Sequence, residues 1–207
     1  AEASQRVLSM LLEAQTDVSN ELGLRQRAKI RVILYTARDY AAVTLAPEWA
    51  AAHYDGKIRL PVRDLENRER EIKATIYNEY AHALISQNLP KCPSWIHEGL
   101  AQAIEFGRVL GADGEQQRLR ALEGAAPMPL KDLEPPIGSL PAGQVTLAYA
   151  SSLSFVRYLE SRFGASAMQV FLSRWLERPE RPYREAFREA YGSALDELER
   201  DWTQSLR

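Results

Sequence analysis

Two stretches hold ionisable side chains where apolar ones are expected. They are Ile76-Tyr77-Asn78-Glu79-Tyr80-Ala81-His82-Ala83-Leu84 and Trp95-Ile96-His97-Glu98-Gly99-Leu100-Ala101. Both read as buried helices. Burying a carboxylate or an imidazole costs several kcal/mol unless the group is paired or bound to a metal. Glu79, His82 and Glu98 together therefore need something to offset that cost. A zinc ion, which takes imidazole and carboxylate ligands, has the right chemistry.

The spacing supports convergence. Residues four apart stack on one helix face, so Asn78 and His82 aim at one spot, and Glu79, three before His82, turns back toward it. In the pattern His-Glu-x-x-His the two histidines bind zinc and the glutamate is general base for the bound water. Glu98 follows His82 by sixteen positions, across a break that can reverse the chain, and can serve as third ligand. The departure is at position 78: asparagine offers a neutral amide oxygen, a weak zinc ligand. His97 is expected to face about 100° away from Glu98 on its helix, in a surface or supporting role. His53 falls under the same reading, and Trp95 reads as a core anchor.

Helices and strands must carry these groups. Residues 4 to 22 show helical apolar spacing that ends near Gly23. Residues 30 to 35 read as a strand and 37 to 45 as a short helix stopped near Pro47. A Gly-containing turn at 54–57 precedes a second strand, Ile58 to Val62, and Pro61 predicts a sheet edge there. Ile58, Arg59 and Leu60 are thus expected to hold an extended peptide by backbone pairing. The mixed charges from Arg63 to Lys73 predict a solvated first stretch of the helix that carries Glu79, which must end before Pro90. The next helix starts after Pro93 with Ser94 as cap. Residues 107 to 144, rich in Gly and Pro, predict a loop-rich excursion with one short helix near 114–123. Tyr149 to Phe163, 165–177 and 182–205 complete a helical half, the last helix broken at Gly192 with Ser193 as a new cap.

The 207 residues, 45% hydrophobic and 26% charged, suffice for one core, and a single domain is expected over 1–207. The net charge of −2 gives no field for nucleic acid or anionic membrane. One cysteine, Cys92, rules out an internal disulfide and a multi-cysteine zinc site. No apolar run is long enough to span a membrane. No signal-peptide pattern stands at the start, and the opening Ala1-Glu2-Ala3 without methionine reads as a trimmed or processed chain.

Taken together, Asn78-Glu79-Tyr80-Ala81-His82 and Trp95-Ile96-His97-Glu98-Gly99-Leu100-Ala101 resemble the peptidase MA-like metallopeptidases. These are gluzincins, relatives of thermolysin whose third zinc ligand is a glutamate. The likeness extends over about residues 30 to 205, through Tyr54-Asp55-Gly56-Lys57-Ile58-Arg59-Leu60-Pro61, Ala148-Tyr149-Ala150-Ser151-Ser152, and Ala186-Phe187 through Gly192 to Trp202. It implies an α+β zincin-like fold, with a small sheet whose edge strand lies beside the active-site helix and a mostly helical C-terminal half. It implies Glu79 as general base, His82 and Glu98 as zinc ligands, Asn78 in the remaining ligand position and Tyr149 as an oxyanion donor. It also implies zinc, held weakly or not at all here, a peptide or protein substrate, and an extracytoplasmic setting. Two functions remain open: a zinc peptidase impaired at Asn78, or a peptide-binding module that has lost catalysis.

Overall fold

A computed structural model describes residues 2–44, 52–62 and 64–206. It is an α+β structure dominated by helices. The long helix α1 (Glu2–Leu22) leads to strand β1 (Val32–Tyr35) and helix α2 (Ala37–Thr44). Strands β2 (His53–Tyr54) and β3 (Ile58–Pro61) follow. Then come α3 (Glu69–Asn88), α4 (Ser94–Glu105), a π-helical turn (Phe106–Leu110) and α5 (Gly111–Leu119). Three short 3-10 turns lead to α6 (Ala142–Phe163), α7 (Ala165–Glu177), α8 (Tyr183–Tyr191) and α9 (Leu195–Ser205). The expected limits at residue 45, Pro47 and Arg63 lie outside the described residues.

The sheet corrects one expectation. Its order is β1-β3-β2, so β3 is the central strand. β3 pairs in parallel with β1 along its length, Val32 opposite Ile58 through Tyr35 opposite Pro61. On its other side β2 pairs antiparallel with Ile58 and Arg59 only. The proline therefore marks the part of β3 that β2 does not cover, where a missing N–H costs nothing on that side. The sequence-level rule located a local opening and not the sheet edge.

Helix α3 carries no proline or glycine from 69 to 88, and its apolar positions recur at helical spacing, so almost the whole of its second half is buried. It stops before Pro90, where Leu89 N–H still bonds to the Ile85 carbonyl. The Cys92 N–H then bonds back to the Leu89 carbonyl, closing the turn that hands the chain to α4. Pro93 precedes the first residue of α4, so Ser94 lies inside the helix and is not its cap. Likewise Ala194, not Ser193, precedes α9, and its N–H donates to Glu197. The break at Gly192 is as expected, in the left-handed conformation that glycine adopts without strain.

The excursion at 107–144 is more helical than its glycines and prolines suggested. α4 runs through the π turn to Gly111, at φ +73°, where α5 begins. Arg70, from the first turn of α3, donates to the carbonyls of Val109 and Leu110 and so caps that turn from outside.

Two contacts fix the helices around the site. On α3, the Tyr77 hydroxyl donates to Asp17 of α1 and the Tyr80 hydroxyl to Gln26 in the chain that follows α1. On α4, Gly99 meets α6 so closely that a Cβ there would stand 2.6 Å from the Ser152 carbonyl oxygen. Only glycine allows that approach. Trp95 anchors α4 in an aromatic cluster with Phe155, Tyr183 and Phe187, as expected of a core residue.

Candidate active site

The turn between α3 and α4 brings the two polar clusters face to face. His82 Nε2 lies 3.4 Å from Glu98 Oε2. Two donors on a tetrahedral zinc with bonds of about 2.0–2.1 Å stand about 3.3–3.4 Å apart. This pair therefore has the spacing of two ligands to one ion. It is equally the spacing of an ion pair, and the electrostatics describe one. Burial works against the His82 imidazolium, but the charge and hydrogen bond of Glu98, with Glu79 and Glu105 behind it, hold its pKa up at about 9. Burial likewise opposes the Glu98 carboxylate, yet His82 and then His97 and Arg118 keep its pKa below the ordinary value.

Glu79 is buried, 7% exposed, and its Oε2 has no hydrogen-bond partner among the described residues. Burial, against the pull of His82 and with the charges of Glu98 and Glu105, pushes its pKa up to about 7. A carboxyl poised there can take and return a proton at neutral pH. A buried oxygen of this kind takes a partner that the described side chains do not supply, such as a water or an ion.

The third position does not complete the set. Asn78 donates from its side-chain amide to Glu105 Oε2 at 2.9 Å. Among the described residues no group of three or more His, Cys, Asp or Glu side chains is arranged to hold a metal. His82 and Glu98 fit zinc in chemistry and separation; Asn78 does not, because a neutral amide is a poor ligand.

His97 does more than the sequence suggested. Its ring meets the other nitrogen of His82. The two Nδ1 atoms are 2.8 Å apart, and the rings lie edge to edge, 18° from coplanar, with centroids at 5.1 Å. One must donate. Burial first, and then the His82 charge, lower the pKa of His97 to about 4, so it is the neutral acceptor. Its Nε2 then donates toward Ser86 Oγ at 3.3 Å. This network assigns the proton on Nδ1 to His82 and leaves Nε2 facing Glu98.

Gln102 fixes the floor. Its amide donates to the Glu98 and Tyr149 carbonyls, tying α4 to α6. Tyr149, half-buried on α6, makes no hydrogen bond through its hydroxyl among the described residues. Burial and the charge of Glu98 raise its pKa to about 12, so it remains a proton donor. Arg118 of α5 lies over its ring, 5.6 Å from the centroid.

Of the residues expected to bind substrate, Ile58 and Leu60 are fully buried core side chains and present nothing to a ligand. The backbone of Ile58 and Arg59 is paired on both sides. Arg59 is half-buried, bonded to Asp55 at 3.0 Å and to the Tyr35 hydroxyl. The expected peptide edge is closed at Ile58 and Arg59, where the strand is interior; at Leu60 β3 is paired with β1 alone. His53 falls in β2, and its side chain lies outside the described residues. A cavity of about 460 Å³ between α1 and β1 is lined on α3 by Tyr80 and by none of the site residues.

No family model matches this chain, and no curated protein or solved structure matches it.

Arrangement alone thus carries the chemistry. Glu105 was legible in principle, since it follows Glu98 by seven residues and so shares its helix face. Arg118 left no local signal.

Proposed function

We propose that the chain is a zincin-type metallopeptidase scaffold of the gluzincin kind, weakened at one ligand position. The observation that carries this reading is the 3.4 Å approach of His82 Nε2 to Glu98 Oε2 beside the unpartnered Glu79 carboxyl. His82 and Glu98 would hold the metal. Zinc bound there would supply a water whose pKa falls toward about 7. Glu79 Oε2 accepts a proton from water and returns it to the leaving nitrogen, which its pKa near 7 suits. The Tyr149 hydroxyl, partnerless and protonated, donates to an oxyanion. His97 Nδ1 accepts from His82 Nδ1–H and keeps Nε2 turned toward Glu98. Glu105 holds the side chain at 78; with histidine there it would accept an imidazole N–H instead.

A second reading, a peptide-binding module without catalysis, draws support from the engaged Asn78 amide and the internal His82–Glu98 pair. One experiment separates the two. Zinc content by native mass spectrometry and peptide hydrolysis are measured for the chain and for Asn78→His. The hydrolase reading expects little zinc and near-background hydrolysis for the chain, then one zinc and clear hydrolysis for the variant. Adding Glu79→Gln should cut that gain by about 10²–10⁴-fold. If Asn78→His acquires neither zinc nor activity, the hydrolase reading is lost and the binding module stands.

A further inference from the structure

Among the described residues, the half-buried arginines hold carboxylates with one exception. Arg6 pairs with Glu69, Arg59 with Asp55, Arg157 with Glu115 and Glu160, and Arg184 with Glu134 and Asp196. Arg118 pairs with none. Its Nε is buried without a hydrogen-bond partner, and its guanidinium lies over the Tyr149 ring. It lies within electrostatic reach of Glu98 and Glu105 but bonds to neither. Glu98 is already occupied by His82, and Glu105 by Asn78. Arg157 shows what saturation looks like: its guanidinium nitrogens are spent on two carboxylates and the Ala103 carbonyl.

A partly desolvated guanidinium with idle donors is costly, and a planar carboxylate is the group its fork matches. We propose that Arg118 seats a carboxylate of the bound peptide, and that this seat sets which peptides the site accepts. The inference rests on the peptide-site reading above. Two sources share the chemistry, the free C-terminus of the peptide and an Asp or Glu side chain within it.

The test uses the chain as it stands, with no need for zinc or turnover. Fluorescence anisotropy measures binding of three N-terminally labelled alanine peptides: a free acid, its C-terminal amide, and an amide with one internal glutamate. One of the two carboxylate peptides should bind roughly tenfold more tightly than the plain amide, and which one does so names the source. Arg118→Gln should bring that peptide down to the level of the plain amide. Arg118→Lys, which keeps the charge but not the fork, should fall between. Equal binding of all three peptides, or a preference that survives both Arg118 variants, overturns the carboxylate seat and leaves the peptide site standing. Binding of none overturns the peptide reading and this inference with it.

Discussion

Glu79 and His82 are one turn apart and both bear raised pKa values, yet they bias stability over different pH ranges. Glu79 in the fold has a pKa of about 7, above its ordinary 4.5. Between these values the folded chain binds more protons than the unfolded one, so stability falls as pH rises from 4.5 to 7. His82 has a folded pKa of about 9 against 6.5. Its contribution is complete below 6.5 and is lost as pH rises through 9. His97, depressed to about 4, acts in the opposite sense: its contribution is present above 6.5 and lost as pH falls through 4. Urea unfolding at pH 5, 7 and 9 checks these signs. Glu79→Gln should stabilise the chain at pH 8 by about 1–3 kcal/mol, because it removes a buried charge without a partner. Relative to the parent chain, the gain should vanish near pH 4. His82→Gln should flatten the decline between pH 6.5 and 9. At this scale the sequence was most informative where a charged residue sat inside an apolar run. That singled out Glu79, His82 and Glu98. It did not show that His97 would meet the far nitrogen of His82, since that depends on how α4 is rolled against α3.

Helices could be read from periodicity because α3, α4 and α6 bury continuous apolar stripes and stop at proline or glycine. The sheet was harder. β2 has two residues, too short for any alternation to register, and without it β3 looked like a border. Residues 107–144 hold one short α-helix, α5, as expected, with more helical turns than their glycines suggest because some of those glycines lie at helix junctions, as at Gly111. The packing of α4 on α6 yields the prediction at this scale. A Cβ at Gly99 would lie 2.6 Å from both the Ser152 carbonyl oxygen and the Val156 side chain. Part of that conflict is with backbone, so Gly99→Ala must push the two helices apart. It should cost about 1–3 kcal/mol or more, read as a lower midpoint in urea. Because Glu98 is its neighbour, the same change in the Asn78→His background should also weaken zinc binding, measured by competition with a chelator.

One hydrophobic cluster runs through the molecule, from Val7 on α1 to Trp202 on α9, with the aromatic side chains of α6, α7 and α8 in its C-terminal half. Trp202 is 1% exposed, packs on Phe155 at 5.2 Å between centroids and donates to Ser154 Oγ. Trp202→Ala should therefore cost about 3–5 kcal/mol. Since the cluster is continuous, far-UV circular dichroism and tryptophan fluorescence should report coincident transitions before and after the change. Two separated transitions would show that the two halves unfold independently. No helix among the described residues is long and apolar enough to cross a membrane.

The grip of Arg70 on the carbonyls of Val109 and Leu110 has a consequence at a distance. It pins the place where the chain turns off into α5, and α5 carries Arg118. A solvent-facing side chain at the start of α3 thus governs how firmly the arginine-bearing wall stands against Tyr149. On the carboxylate-seat proposal, loosening that latch by Arg70→Ala would shift peptide preference from the outer surface of the molecule, with Arg118 itself left as it is.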